Sequence, residues 1–541
     1  MFVDPVLDAD VLDVVRKLKP KTSSGEDEIS SKLLMQSIDV IINPITHIVN
    51  RSLQQGVFPN ALKCAKVIPV YKASDPSILN NYRPISLLSP FSKLLERIMY
   101  NKIMKFLVAN NILYTHQYGF RPKHSTIHPI LHLLNHCAEV NNSPPSEATL
   151  AAFCDLSKAF DTIDHNILLH KLTIYGIRGL PNSWLESYLT NRTQYVELNS
   201  YKSNKISLTC GVPQGSILGP LLFLIYINDI SRSTGANVIS FADDTTIFIS
   251  DRDPSNLFDR ANVCLNDVFN WFCANKLSLN AKKTKYLIIQ PPNKPKIPDE
   301  YNIYINGELL DRVGSNKPEQ ACKFLGIFID ESLSWKNHIT HVCSKIARSL
   351  FTIKQVKLFL PLTSLRTLYF SLIQPFISYG ILAWGNANQH VLRRLVTIQK
   401  RALRTIHNKK YNCHTEPLFK HSKILNISDL YEREVLLFMH DFNKGKLPLS
   451  FMNMFSTNRE MNVGYETRQV DQLFIPRSRS RYIDRLPYIM FPTIWNKWYP
   501  DSGAIPSRAI CKRSIQFYFF GKYSATVQCN NPMCYDCHNV Q

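Results

Sequence analysis

A chain of 541 residues, 45% of them hydrophobic, is long enough to bury several cores, and about three or four subdomains are expected. The net charge of +21, with a pI near 9.3, is more than solubility requires and asks for a polyanion, nucleic acid first. Thirteen cysteines, an odd count scattered mostly singly, exclude a disulfide framework and fit a reducing compartment.

Residues 1–20 place Val6, Leu7, Val11, Val14, Val15 and Leu18 at helical spacing, and 19–30 read as a polar loop. No basic n-region and apolar core follow Met1, so no signal peptide is expected. Residues 62–72 predict a strand around Val67, Ile68 and Val70. His124, His128, His132 and His136 recur every four residues. Ser125 and Thr126 suit an N-cap and Pro129 a first turn, which leaves His124 outside the helix. No acidic partner shares that face, so the histidines are read as structural rather than metal-binding.

The run 148–154 predicts a buried strand leading into Asp155. Residues 210–220 form a Gly/Pro-punctuated loop opening a helix. The apolar run from Pro220 to Ile227 is too short to span a bilayer, so no membrane association is expected. Asn237-Val238-Ile239-Ser240 and Thr245-Thr246-Ile247-Phe248-Ile249 are strands that flank Phe241-Ala242-Asp243-Asp244. Adjacent carboxylates at a hairpin tip repel and call for a cation, and magnesium is the hard ion that takes carboxylate oxygens while leaving room for phosphate. The alternative is a solvated Asp-Asp turn. With Asp155 on a neighbouring strand, the three can converge on two metal ions suited to phosphoryl transfer.

Residues 291–298 form a Pro/Lys linker. Asn306-Gly307 within 301–310 marks a hairpin. Beyond Trp335 the pattern is helical. Near 389–408, Leu392, Leu395, Val396, Leu403 and Ile406 make an apolar stripe. Arg393, Arg394, Lys400, Arg401 and Arg404 crowd the other side, read as a nucleic-acid-binding face. At the end of the chain, Cys529, Cys534, Cys537 and His538 are a candidate zinc set, with Cys511 an alternative fourth ligand; the other reading is a frayed tail with free thiols.

Asp155 with Ala159-Phe160-Asp161, then Gly211-Val212-Pro213-Gln214-Gly215-Ser216, then Phe241-Ala242-Asp243-Asp244, in this order, resemble the palm motifs of reverse transcriptases of non-LTR (LINE-type, jockey-like) retrotransposons. The supporting stretches run along the chain in the same order. They are Tyr82-Arg83-Pro84-Ile85-Ser86-Leu87-Leu88, Gln117-Tyr118-Gly119-Phe120-Arg121, Tyr226-Ile227-Asn228-Asp229 and Leu279-Asn280 with Lys283-Thr284. Phe324-Leu325-Gly326-Ile327, Tyr379-Gly380 and Trp384-Gly385 follow. The resemblance covers roughly the first three-quarters of the chain. Glu26 and Glu28 depart from the small residues of the family's lead-in motif.

The resemblance implies an α+β, right-hand polymerase fold with fingers, an antiparallel-sheet palm, a thumb and a mostly helical C-terminal region. Residues 1–140 would be lead-in and fingers, 141–334 palm with part of the fingers, 335–415 a helical thumb, and 416–541 a basic region with a Cys-rich tail. The implied activity is RNA-directed DNA synthesis: a primer 3′-OH attacks the α-phosphate of a dNTP with two Mg2+ ions. An RNA-binding copy without needed catalysis and a group II intron-type maturase are the alternatives.

Asp155, Asp243 and Asp244 are the implied catalytic and metal residues, with Leu156 completing the metal set. Lys72, Arg83, Phe160, Gln214, Gly215 and Lys283 are the implied nucleotide contacts. Phe160 would exclude a 2′-OH. Lys283, with Lys282 and Lys285 as neighbours, would protonate the departing pyrophosphate. Template RNA, primer or target DNA and dNTPs are the expected partners, in a cytoplasmic ribonucleoprotein and the nucleus. Target nicking is expected from an N-terminal domain outside this chain or from another chain, and no ribonuclease H carboxylate set is read after residue 420.

Overall fold

The computed structural model describes residues 1–72, 75–199, 201–314, 316–461, 471–499 and 506–523. The chain is of the α+β class. Its centre is a five-stranded sheet in the order Asp311–Val313, Lys285–Ile289, Ala148–Cys154, Asp244–Asp251, Asn237–Phe241. Ala148–Cys154 lies in the middle, which explains its unbroken run of small and apolar residues. Side chains alternate across it. Ala151, Phe248 and Leu287 enter a core shared with the later helices, while Leu150, Ala152, Ile247 and Ile288 enter one shared with the earlier helices. Register is thereby fixed, since a one-residue slip would exchange the two sets.

The four strands from Lys285–Ile289 to the edge strand Asn237–Phe241 are antiparallel. The expectation of an antiparallel sheet fails at one edge, where Asp311–Val313 runs parallel to Lys285–Ile289. The intervening residues 290–310 are long enough for a crossover, and they carry the Asn306-Gly307 hairpin that pairs Tyr304–Ile305 with Glu308–Leu309.

A second sheet joins Tyr82–Leu87, Cys64–Tyr71, Arg192–Leu198 and Tyr201–Lys202, with Ile206–Leu208 also on Arg192–Leu198. Near the N-terminus the helix covers only Asp8–Arg16. It is followed by Ser31–Gln55, capped by the Ser30 hydroxyl, which accepts from Leu33 N at 3.2 Å. From Lys336 onward the described residues are mainly helical. Lys336–Val356 packs on Gln389–Ile406, and Ile427–Asn443 packs on Pro487–Trp498 and Arg508–Lys522. Among the described residues no helix is long and apolar enough to cross a membrane.

Candidate active site

The hairpin between Asn237–Phe241 and Asp244–Asp251 closes where Phe241 pairs with Asp244, leaving Ala242 and Asp243 as the turn. Ala242 is buried with φ +58°, a left-handed conformation that a non-glycine residue holds only when its surroundings enforce it. The enforcing segment is Gln117-Tyr118-Gly119. Tyr118 N donates to Ser240 O at 2.8 Å and Ser240 N to His116 O at 3.0 Å. The Gln117 side-chain oxygen accepts from Ala242 N at 3.1 Å and from Gly119 N at 2.8 Å. A Cβ at Gly119 would collide with the Ala242 amide, so only glycine lets the two backbones approach this closely.

Asp155 follows Cys154, which lies opposite Thr245. That register brings Asp155 beside Asp244 at the same end of the sheet. Asp155 is held from the other flank. Its N–H donates to the Thr284 hydroxyl at 3.3 Å, and its carbonyl accepts from Asn280 N at 2.9 Å. Leu156 pairs with Leu279 in a short ladder, its side chain buried. Asp155, Asp244, Lys282 and Lys283 line one cavity. Of the three lysines weighed from sequence, Lys285 is ion-paired with Glu319, while Lys283 Nζ lies 3.7 Å from an Asp155 carboxylate oxygen.

The electrostatics show how these groups converge. Asp244 keeps an edge open to solvent, but protein surrounds the rest of it. Burial, then repulsion from Asp243 and Asp155, pushes its pKa up to about 6. Burial and Asp155 also raise Asp243, opposed by its own backbone N–H and by Arg83 and Lys72. Two carboxylates raised by burial and by acidic neighbours, with Arg83 and Lys72 acting on Asp243, are a donor set suited to a hard divalent ion. Among the described residues no group of three His, Cys, Asp or Glu side chains is already drawn together tightly enough to hold an ion, these repelling aspartates included.

Lys72 and Arg83 lie at the open end of a two-stranded pairing in which Val70 faces Arg83, and both side chains are exposed. Gln214 docks its loop against the same strand, its carbonyl accepting from Ser86 N at 2.7 Å. Its side-chain amide is held by Asp161 at 2.9 and 3.0 Å. Gly215 has φ +122°, and a Cβ there would stand 2.6 Å from Ser86 O. Phe160 is half-buried between Phe223, 4.8 Å away between ring centroids, and Phe120 at 6.0 Å.

Sequence reasoning missed Glu96. It is fully buried, accepts from Ile217 N at 2.5 Å and Leu218 N at 3.3 Å, and caps the helix Leu218–Ile227 behind the Gln214 loop. A lone glutamate among Leu94, Leu95, Ile98 and Met99 on Pro90–Ala109 was the available signal. It also missed the part played by Gln117, Asn280 and Thr284 in fixing the aspartates.

On the helix Gln389–Ile406, Arg393, Arg394, Lys400 and Arg401 are exposed. Arg404 is a correction. It is half-buried, and its Nε donates to Cys413 O at 2.8 Å, because the chain folds back over the end of the helix. Cys529, Cys534, Cys537 and His538 lie outside the described residues. Cys511, the alternative fourth ligand, is fully buried, with its sulfur 3.3 Å from the Tyr499 hydroxyl. The histidines of Ile127–Asn142 pack inward. His132 Nδ1 is 2.9 Å from the Tyr118 hydroxyl and His136 Nε2 is 2.8 Å from the Ser250 hydroxyl.

Residues 70–329 match the reverse transcriptase (RNA-dependent DNA polymerase) family. Over 475 residues the chain is 26% identical to the RNA-directed DNA polymerase from mobile element jockey of Drosophila melanogaster, covering 85% of this chain and 50% of that protein. It is 29% identical over 430 residues to the probable RNA-directed DNA polymerase from transposon BS of the same organism, covering 76% of this chain and 45% of the relative. A 25% identity over 441 residues links it to the probable RNA-directed DNA polymerase from transposon X-element, also of Drosophila melanogaster, covering 79% and 47%. The chain spans about half the length of the curated relatives it matches. Residues 70–329 are thus similar to reverse transcriptases, and most of the chain is similar to the RNA-directed DNA polymerases of mobile elements such as jockey.

Proposed function

We propose that this chain is an RNA-directed DNA polymerase that extends a primer 3′-OH with dNTPs on an RNA template. The observation that carries the reading is the convergence of Asp155, Asp243 and Asp244 at one end of the central sheet, with Arg83 and Lys72 facing Asp243. In hand terms, residues 1–140 with the second sheet serve as lead-in and fingers, 141–334 as palm, and 335–415 as thumb, followed by a basic C-terminal region.

Asp155, Asp243 and Asp244 would hold two Mg2+ ions, with the Leu156 carbonyl at the same rim. Magnesium, when bound, supplies charge neutralisation at the primer hydroxyl and at the leaving oxygens. The protein groups do the rest. Arg83 and Lys72 bind the triphosphate and offset charge on the transferring phosphoryl. Lys283, already beside Asp155, is placed to give its proton to the departing pyrophosphate. Phe160, backed by Phe223, forms a wall under the sugar. Gln214 and Gly215 set the floor on which the template base and nucleotide meet. Arg393, Arg394, Lys400 and Arg401 track the phosphates of the template–primer duplex, a salt-dependent and sequence-independent contact.

The test is primer extension by purified full-length protein on a poly(A) RNA template with an annealed DNA primer. Synthesis that requires both the RNA template and a divalent ion is expected. Binding without synthesis across a range of magnesium and manganese concentrations would favour a non-catalytic RNA-binding protein instead.

A further inference from the structure

A second cavity, of about 260 Å³, lies between the helices Leu362–Leu372, Ile427–Asn443 and Arg508–Lys522. Arg366, Lys423 and Arg433 line it together with the rings of Phe370 and Phe520 and the amide of Gln516. No carboxylate is among its lining residues. Three cations thus gather around one small cavity. Glu434 answers Arg433 at 2.5 Å, and Arg366 donates to Ser422 O at 2.6 Å. Lys423 is exposed, at the tip of a left-handed turn with φ +51°.

The walls are aromatic as well as basic. Phe370 is 39% exposed, with the Arg366 guanidinium 5.2 Å from its ring centroid, so one large apolar ring is displayed beside a cation. Gln516 and Phe520, four residues apart on Arg508–Lys522, share its cavity-facing side. Cations set beside flat rings, with an amide that both donates and accepts, recognise phosphodiesters and unstacked bases. A duplex keeps its base faces stacked and could not use the rings.

One wall of the cavity is in contact with the basic helix. Leu362–Leu372 packs against both Lys336–Val356 and Gln389–Ile406. At the end of the latter, His407 Nε2 lies 2.6 Å from the hydroxyl of Ser422, whose carbonyl holds Arg366.

We propose that this cavity binds a single-stranded segment of nucleic acid outside the polymerase cleft, one base against Phe370 or Phe520 and its phosphates on Lys423, Arg366 and Arg433. The site goes beyond the polymerase reading and does not depend on it.

The experiment fills the cleft of the full-length protein with an unlabelled template–primer hybrid. It then measures the anisotropy of a labelled single strand of roughly 12 nucleotides, within the size range of such sites. Oligo(U) RNA and oligo(dT) DNA are separate arms, and heparin and a blunt duplex are controls.

Wild-type protein is expected to bind both single strands. Phe370→Ala and the more conservative Phe520→Leu should weaken them about 5- to 150-fold, the range for losing one stacked base, at unchanged salt dependence. Lys423→Gln should lower the salt slope by about 0.7. Extension of a short pre-annealed hybrid should stay at the wild-type level in all three. A wild type that fails to extend but shows these binding losses would count against the polymerase reading and leave the cavity standing. No single-strand binding by the hybrid-loaded wild type would overturn the proposal. So would unchanged affinity in both ring variants, or equal losses for heparin and duplex.

Discussion

The side-chain oxygen of Gln117 accepts a hydrogen bond from the backbone N–H of Ala242 at 3.1 Å, and so holds the turn that presents Asp243. The same oxygen takes the Gly119 N–H at 2.8 Å, so one buried atom satisfies two backbone donors, one 2 residues and the other 125 residues from Gln117. Ala242 keeps its positive φ because this contact and the Gly119 backbone leave it no other place.

Gln117→Ala should therefore leave two buried donors unpaired, a cost of about 1–3 kcal/mol each at most. With the turn loosened, primer extension should fall roughly 10-fold or more, with a raised magnesium requirement. Gln117→Glu, which keeps an acceptor, should recover much of it. A magnesium titration of extension rates separates these outcomes; a Gln117→Ala enzyme with an unchanged midpoint and rate would show that the turn holds itself.

A second expectation concerns Asp244, whose pKa is pushed up to about 6 by burial and by Asp243 and Asp155. An unfolded aspartate titrates near 4. The folded chain thus holds this proton more tightly, and its stability declines as pH rises from about 4 through 6. Asp244→Asn removes the penalty. In EDTA at pH 7 to 8 the variant should melt higher than wild type. Solvent at the carboxylate keeps the gain under about 1 kcal/mol. At pH 4 the difference should vanish, and added magnesium should stabilise the wild type more than the variant. Thermal melts at the two pH values, with and without magnesium, decide it; a variant no more stable than wild type at pH 7 in EDTA contradicts it.

The buried histidines carry the opposite sign. Burial lowers His128 and His136 to about 4 and His132 to about 3, below the unfolded value of about 6.5. Their contribution to stability is complete above about pH 6.5 and is lost as pH falls toward 4. Each can add a slope of about 1.4 kcal/mol per pH unit in that window. The His132 ring lies 2.9 Å from the Tyr118 hydroxyl, next to the segment that supports Ala242, so acid should disturb the active-site turn. His136→Gln should flatten the loss of stability between pH 6 and 4. Denaturant melts across that range test this, and an unchanged slope would mean the histidines are not the acid-sensitive groups.

Phe160 yields a prediction about sugar choice. Its ring is backed by Phe223 at 4.8 Å, so it stands as a supported wall. Phe160→Val should let ribonucleotides compete better, with the dNTP-to-rNTP preference dropping roughly 10-fold or more. Single-nucleotide incorporation kinetics with dATP and ATP measure it. An unmoved preference would make Phe160 a packing residue only.

The positions of the three aspartates were legible because each sits at or next to the end of a short, continuous apolar run of strand length, itself a strong signal. The strand Ala148–Cys154 and the hairpin around Asp243 emerge close to where the pattern puts them. The supports were not legible. Gln117 reaches Ala242 across 125 positions and Glu96 reaches Ile217 across 121, and nothing local in either segment announces a partner that far away. Arg404 was assigned to the exposed face by helical position alone, but Cys413 returns to take its Nε. The parallel edge strand Asp311–Val313 was hidden for the same reason: its direction depends on a crossover and not on its own three residues.

The most direct test of the account is steady-state extension of a DNA primer on RNA by wild type and by Asp155→Asn, Asp243→Asn and Asp244→Asn, with RNA affinity measured alongside. Each substitution keeps the shape and removes the charge that would hold magnesium. The account predicts that extension falls by roughly 10³-fold or more in each variant while RNA affinity stays near wild type. Wild-type-like extension in the Asp243→Asn and Asp155→Asn proteins would contradict it.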